Sequence, residues 1–331
     1  MQKRKLGRTG LEVSHLTFGC GAVGGLMTKG RPEDQVRAVR RALQVGVNFF
    51  DTAPLYGNGA SESNLGRILA ELKPDIVLGT KVNVPEDMKS DIAGAITRSI
   101  DESLTRLGRD HVDLLQLHNS ISAEGRARDL TADVVLGEVV PAFERLKAQG
   151  KIRFMGITAI GDTADLLRVI GSKAFDTAQI VYNLLNPSAG QAVAAGYPGQ
   201  DYGQLLVRAG EAGMGTIVIR ALAGGALSGE EARHPLGMAV VAPIGSGADY
   251  ASDVAHARKL QPAVQVAGAS DPVDLAIRYV ASHPAVSTLQ VGIATPEQFE
   301  GAVRAVDAGA LSTAALDRIA AIQAGFTGKP L

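Results

Sequence analysis

Short runs of apolar, often β-branched residues recur along the chain, and each gives way to a stretch where apolar positions return every three or four residues. The runs LTFG, VNFF, IVLGT, VDLLQL, IRFMGI, AQIVY, TIVIRA and TLQV predict strands at Leu16–Cys20, Val47–Asp51, Ile76–Lys81, Val112–His118, Ile152–Thr158, Ala178–Tyr182, Thr216–Ala221 and Thr288–Val291. Continuous apolar runs suit strands covered on both faces, as in a parallel sheet.

The intervening stretches predict helices. Ser90–Leu107 carries Ile92, Ile96, Ile100, Leu104 and Leu107 on one face and stops at Gly108, a helical period with a glycine end. Pro32–Val45 follows Gly30 and ends at Gly46. Further helices are expected at Glu62–Leu72, Val135–Gln149, Thr163–Ile170, Gly203–Ala212, Pro272–Ser282, Pro296–Asp307 and Thr313–Gln323. Eight strands, each followed by a helix, predict a closed (β/α)8 TIM barrel in one domain over residues 1–331. The opening KLGRTGLEVSHL reads as a small hairpin that closes the barrel's bottom. The connections Asn119–Asp133, Asn183–Tyr202 and Ser228–Gly268 are too long for plain turns. All three leave strand C-termini, where long loops commonly serve function.

Composition narrows the class. Across 331 residues the formal net charge is −1, which leaves no footprint for nucleic acid or an acidic membrane surface. The lone Cys20 admits no intramolecular disulfide and suits a reducing compartment. No apolar run is long enough to span a bilayer, and MQKRKLGRTG has no apolar signal core, so a cytoplasmic location is expected. No histidine stands at metal-ligand spacing from Cys or carboxylates, and no metal is expected.

Three consecutive apolar strands end in a polar residue: Asp51, Lys81 and His118, with Tyr56 five residues beyond Asp51. In a barrel such strand ends meet at one mouth. A charge at the end of an apolar strand is costly to bury unless paired, and Asp51 and Lys81 are natural partners. Each residue alone has a plainer reading: a structural ion pair, a satisfied barrel histidine, a turn tyrosine.

Their setting adds more. The stretch NFFDTAPLYGNGASESNLG, with GTKV, SIDESLTRLGRDHVDLLQLHN, LKAQGKIRFMGIT and QIVYNLL in that order, closely resembles the aldo-keto reductase superfamily. The resemblance runs from KLGRTG to TPEQFEGAV. It implies a nicotinamide dinucleotide bound by a barrel, with Tyr56 as proton donor, Lys81 lowering its pKa, Asp51 holding Lys81, and His118 orienting a carbonyl. A free tyrosine titrates near ~10, and a nearby ammonium favours the phenolate. Gly19-Cys20-Gly21-Ala22-Val23-Gly24 also matches G-x-G-x-x-G after a strand, but helix signals begin only near Pro32. A Rossmann reading needs the helix to open within the motif.

Similarity places the nicotinamide near Thr158, Ala159 and Gln179, with Ile219 where an aromatic often stacks, and the pyrophosphate along Leu222–Gly229 with Gly224 and Gly225. Glycines there expose backbone N–H groups to an anion. Arg220 is a further candidate for a phosphate. Past the eighth strand, Gly292, Ala294, Thr295 and Gln298 surround a helix start with Thr295 as N-cap, Pro296 in first position and Gln298 completing a capping box. That start is the expected 2′-phosphate site, yet Ala294 stands where the family often has arginine, and Gly301-Ala302 where it has Glu-Asn. NADP(H) is the cofactor the resemblance favours, with NAD(H) the alternative once that cation is missing. The function expected is reduction of aldehydes or ketones. The alternatives are an NAD-dependent sugar dehydrogenase, a cofactor-sensing regulatory subunit and a Schiff-base barrel using Lys81. The last needs a neutral amine, which Asp51 opposes. Oligomeric state is open.

Overall fold

In a computed structural model of the chain, which describes residues 1–243 and 249–326, the strands close into a barrel. An N-terminal hairpin pairs β1 (Lys3–Lys5) antiparallel with β2 (Glu12–Ser14). The barrel strands are β3 (Leu16–Gly19), β4 (Phe49–Asp51), β5 (Val77–Val82), β6 (Val112–Leu117), β7 (Ile152–Ala159), β8 (Thr177–Val181), β9 (Gly215–Ile219) and β10 (Thr288–Gly292). All neighbours are parallel, and β10 pairs with β3 to close the ring, giving the (β/α)8 architecture expected. Leu6 and Val13 of the hairpin pack on Phe49, Val77, Leu114 and Ile217, a separate apolar cluster at the barrel floor. That plug leaves the opposite, C-terminal face for the polar strand ends.

The helices Pro272–Ser282, Pro296–Asp307 and Thr313–Gln323 have the bounds expected from sequence. Four features differ. The stretch expected as one helix from Val135 is a turn at Ala132–Val134, a π segment Val135–Val139 and a helix Val140–Ala148. Pro141 explains the break, because it has no N–H to close an α turn and the ladder widens ahead of it. A four-residue helix, Leu26–Lys29, follows the first glycine loop unexpected. The connection after Ser228 contains helices Tyr250–Arg258 and Gln261–Val266, anchored by buried Val254, Ala257, Leu260 and Ala263. Asp253 and His256 are buried beside them, so the apolar period is blurred and the sequence reads as loop. Part of that connection lies outside the described residues. Finally, Gln298 Oε1 accepts from the Ala294 N–H at 2.7 Å, one residue before the position a capping box would use. Thr295 still caps, accepting from Gln298 N–H at 3.3 Å. Among the described residues no helix is long and apolar enough to cross a membrane, and no cluster of three potential metal ligands occurs.

Candidate active site

The strand ends meet as the alternation of apolar runs requires. Asp51 closes β4, Lys81 lies one residue from the end of β5, and His118 follows β6. Asp51 and Lys81 have no exposed side-chain surface, and Lys81 Nζ pairs directly with Asp51 Oδ2. The same ammonium donates to Thr52 O at 2.9 Å. Asp51 Oδ1 accepts from Gln116 Nε2 at 2.8 Å and Gln179 Nε2 at 3.0 Å. Both carboxylate oxygens therefore have partners, which is what makes a buried carboxylate tolerable. Lys81 Nζ also sits 4.9 Å from the centre of the Tyr56 ring. Tyr56 meets His118 edge to face, with ring centres 5.7 Å apart.

Electrostatics divide the roles. Burial pushes the Tyr56 phenol up and Lys81 pulls it down, and the net direction is upward. The expected lowering by Lys81 is present as one contribution, but desolvation exceeds it. Burial works against the Lys81 ammonium, yet Asp51 and Tyr56 together hold its pKa above the ordinary value. That opposes Schiff-base chemistry, which needs the free amine. His118 is pushed down to about 3 by burial and then by Lys81, so it is neutral at physiological pH. Its Nδ1 is buried with no hydrogen-bond partner.

Tyr56 and His118 open on a cavity of about 630 Å³, while Asp51 and Lys81 stand behind its wall. Thr158, Gln179 and Ile219 line the cavity, as do Arg220 and Leu222. Gly224 and Gly225 line it with φ values of 69° and 111°, conformations that glycine adopts without cost. At the far end lie Gly292, Ala294, Gln298 and Gly301. Thr295 is spent as the cap and does not line the cavity. Three residues escaped sequence reasoning. Gln116 supports Asp51 from β6. Its only sequence signal is an amide at an inward position of an apolar strand. Arg233 donates to Gly224 O and Met238 O, at 2.6 Å each, and pins the loop beyond β9. Asp271 caps the helix Pro272–Ser282 and lines the cavity's far end.

The glycines of the first loop serve packing, not a Rossmann turn. A side chain at Gly24 would meet the Ile293 backbone at 2.2 Å, and one at Gly25, whose φ is 89°, would meet Leu236 O at 1.8 Å. The loops after β3, β9 and β10 thus lock together around the mouth.

Comparison with known proteins fits this site. A sequence model described as the Aldo/keto reductase family matches residues 15–324. L-galactose dehydrogenase of Arabidopsis thaliana is 37% identical over 163 residues, 48% of this chain and 49% of that protein, so the match spans about half of that relative's length. A putative voltage-gated potassium channel subunit beta of Schizosaccharomyces pombe is 28% identical over 327 residues, covering 92% of this chain and 88% of that protein. Among solved structures, the holo form of the aldo-keto reductase AKR11C1 from Bacillus halodurans superposes with a TM-score of 0.72 at 26% identity, covering 97% of this chain and 96% of that one.

Proposed function

Because the chain belongs to the aldo/keto reductase family, whose members are oxidoreductases using nicotinamide cofactors, we propose that it interconverts aldehydes or ketones and alcohols with Tyr56 as the acid–base group. The observation that carries this reading is the buried Asp51–Lys81 pair beneath a tyrosine that, with His118, faces a large cavity.

The residues suit a dinucleotide. The cavity volume falls within the ~300–1,000 Å³ usual for cofactor sites. Gly224 and Gly225 offer a turn without side chains, where backbone N–H groups can face a diphosphate. A bound nicotinamide supplies or accepts the hydride. In reduction the Tyr56 hydroxyl donates a proton to the carbonyl oxygen, and in oxidation its phenolate takes one back. Neutral His118 orients that oxygen by hydrogen bonding without competing for the proton. Lys81 holds the phenol's charge balance, and Asp51 holds Lys81.

NADP(H) is the dinucleotide that the resemblance favours, but the cavity's far end suits NAD(H). No lysine or arginine lines it among the described residues, and the exposed carboxylate of Asp271 does. A carboxylate accepts from a ribose 2′-hydroxyl and repels a 2′-phosphate. This favours the second reading, an NAD-dependent sugar dehydrogenase, and the Arabidopsis relative's name is that of a sugar dehydrogenase. The regulatory reading finds its parallel in the channel subunit, but an intact set of four acid–base residues favours turnover.

The test is Tyr56→Phe, assayed against a carbonyl and sugar panel with both dinucleotides. Turnover should fall by ~10²–10⁴-fold, the usual cost of losing a general acid. The dinucleotide dissociation constant should hardly change, since the phenol anchors no part of the cofactor. Activity within a few-fold of the parent would rule out the assignment.

A further inference from the structure

Arg220 occupies an unusual position. It follows β9 by one residue, and its backbone is left-handed at φ 58° although it is not glycine. Such a conformation persists only where surroundings hold it. Here the Asn183 amide and the Ala223 N–H both donate to its carbonyl, at 3.1 and 2.7 Å. The side chain lines the cavity, its Nη1 is buried without a hydrogen-bond partner, and no carboxylate of the described residues forms an ion pair with it. Burial opposes its charge, and Arg233 adds repulsion. A guanidinium nevertheless stays protonated at neutral pH. A charge buried without a partner is costly, and a ligand anion would supply one.

Resting on the proposed oxidoreductase activity, we propose that Arg220 binds a carboxylate borne by the substrate, so that the enzyme acts on acidic carbonyl compounds such as oxo acids and carboxy-aldehydes. A substrate carboxylate and a dinucleotide phosphate present the same oxygens to a guanidinium. Two observations favour the substrate. Arg233 already stands at the glycine turn, tied to Gly224 O, and supplies a cation for a diphosphate there. Arg220 stands between that turn and the tyrosine: its Nη1 lies 3.8 Å from where a Gly224 side chain would begin, and the Tyr56 phenolate acts on its charge. Its strand β9 lies three places from β4 in the ring, and both Arg220 and Tyr56 line the same mouth. Leu55 and Met238 line the same cavity and leave 48% and 42% of their surface exposed. That arrangement fits a carbonyl at Tyr56 and His118, an apolar body, and an anion at Arg220.

The test pairs 4-carboxybenzaldehyde with its methyl ester, which has the same ring and no charge. The parent should favour the acid by about ten- to a hundred-fold in kcat/KM, mostly through KM, the scale of charge-assisted hydrogen bonds. Arg220→Gln should bring the two within about threefold by costing the acid far more than the ester. Arg220→Lys, which keeps the charge on a chain of similar length, should retain part of the preference and controls for folding. Calorimetric titration of 4-carboxybenzaldehyde into the dinucleotide complex reads the same site without turnover. Acid binding lost in Arg220→Gln thus supports the inference even if no carbonyl is reduced, an outcome that would count against the proposed activity alone. Equal handling of acid and ester by the parent overturns the inference. So does a preference that survives in Arg220→Gln, or a variant that loses only dinucleotide affinity.

Discussion

Lys81, Gln116 and Gln179 converge on the two oxygens of Asp51, and this convergence governs how Tyr56 titrates. The phenol feels burial first, Lys81 next and Asp51 third, with a net rise above ~10. Reduction needs the protonated phenol, which is present below its pKa and lost as pH rises through it. The reductive rate should therefore be flat from about pH 6 to 9 and fall only beyond. Oxidation needs the phenolate and should climb with pH over the same range. His118, held near 3, should add no inflection there. Asp51→Asn removes the negative charge that raises the phenol, so the oxidative limb should move to lower pH. It also strands the Lys81 ammonium in the core, with an expected loss of about 3–5 kcal/mol in denaturant unfolding. An unmoved limb in a folded variant would mean that Asp51 does not act on Tyr56.

At the scale of elements, the strands were legible because each is a short, largely apolar run, and the structure moves their bounds by only a residue or two. Asp51, Lys81 and His118 were legible as polar ends of apolar strands, since strand ends of one barrel share one mouth, and Tyr56 through the turn that follows Asp51. The loop beyond β9 was not. Its helices bury Asp253 and His256 among small apolar residues, and Arg233 binds two carbonyls brought near by the fold, which no local pattern announces. Gln116 was missed because its partner lies two strands away on β4. Arg233 yields a prediction at this scale. Its guanidinium bonds Gly224 O and Met238 O and lies over the Tyr250 ring at 5.2 Å. Arg233→Ala should free the loop, speeding limited proteolysis within residues 229–243 and weakening dinucleotide affinity by about tenfold. Proteolysis at the parental rate would show that other contacts hold the loop.

Across the whole molecule, a formal net charge of −1 offers no general field to draw in an anionic cofactor, so discrimination rests on how charge is laid out along the cavity. Arg220 and Arg233 stand near the tyrosine and the glycine turn, and Asp271 stands beside Ala294, Gln298 and Gly301 at the far end. A dinucleotide lying from Tyr56 toward Gly301 would put its diphosphate by the glycine turn and Arg233 and its adenosine ribose by the acid. Ala294→Arg reverses the sign at that end. The position lines the cavity just ahead of the helix Pro296–Asp307, whose N-terminus already favours an anion. A guanidinium there can add charge-assisted hydrogen bonds to a 2′-phosphate worth about 1.5–3 kcal/mol, or roughly ten- to a hundred-fold in NADPH affinity. NADH, which has no group for it to meet, should bind about as before. One described cation could already serve. The Arg304 guanidinium approaches within 3.8 Å of where a Gly301 side chain would begin, and helical side chains lean toward the N-terminus. If Arg304 reaches the phosphate, the parent will bind NADPH more tightly than NADH, Ala294→Arg will change little, and Arg304→Ala will abolish the preference. Dissociation constants of both dinucleotides for parent and both variants decide between a cavity that selects NAD(H) through Asp271 and one that borrows its cation from the next turn of the helix.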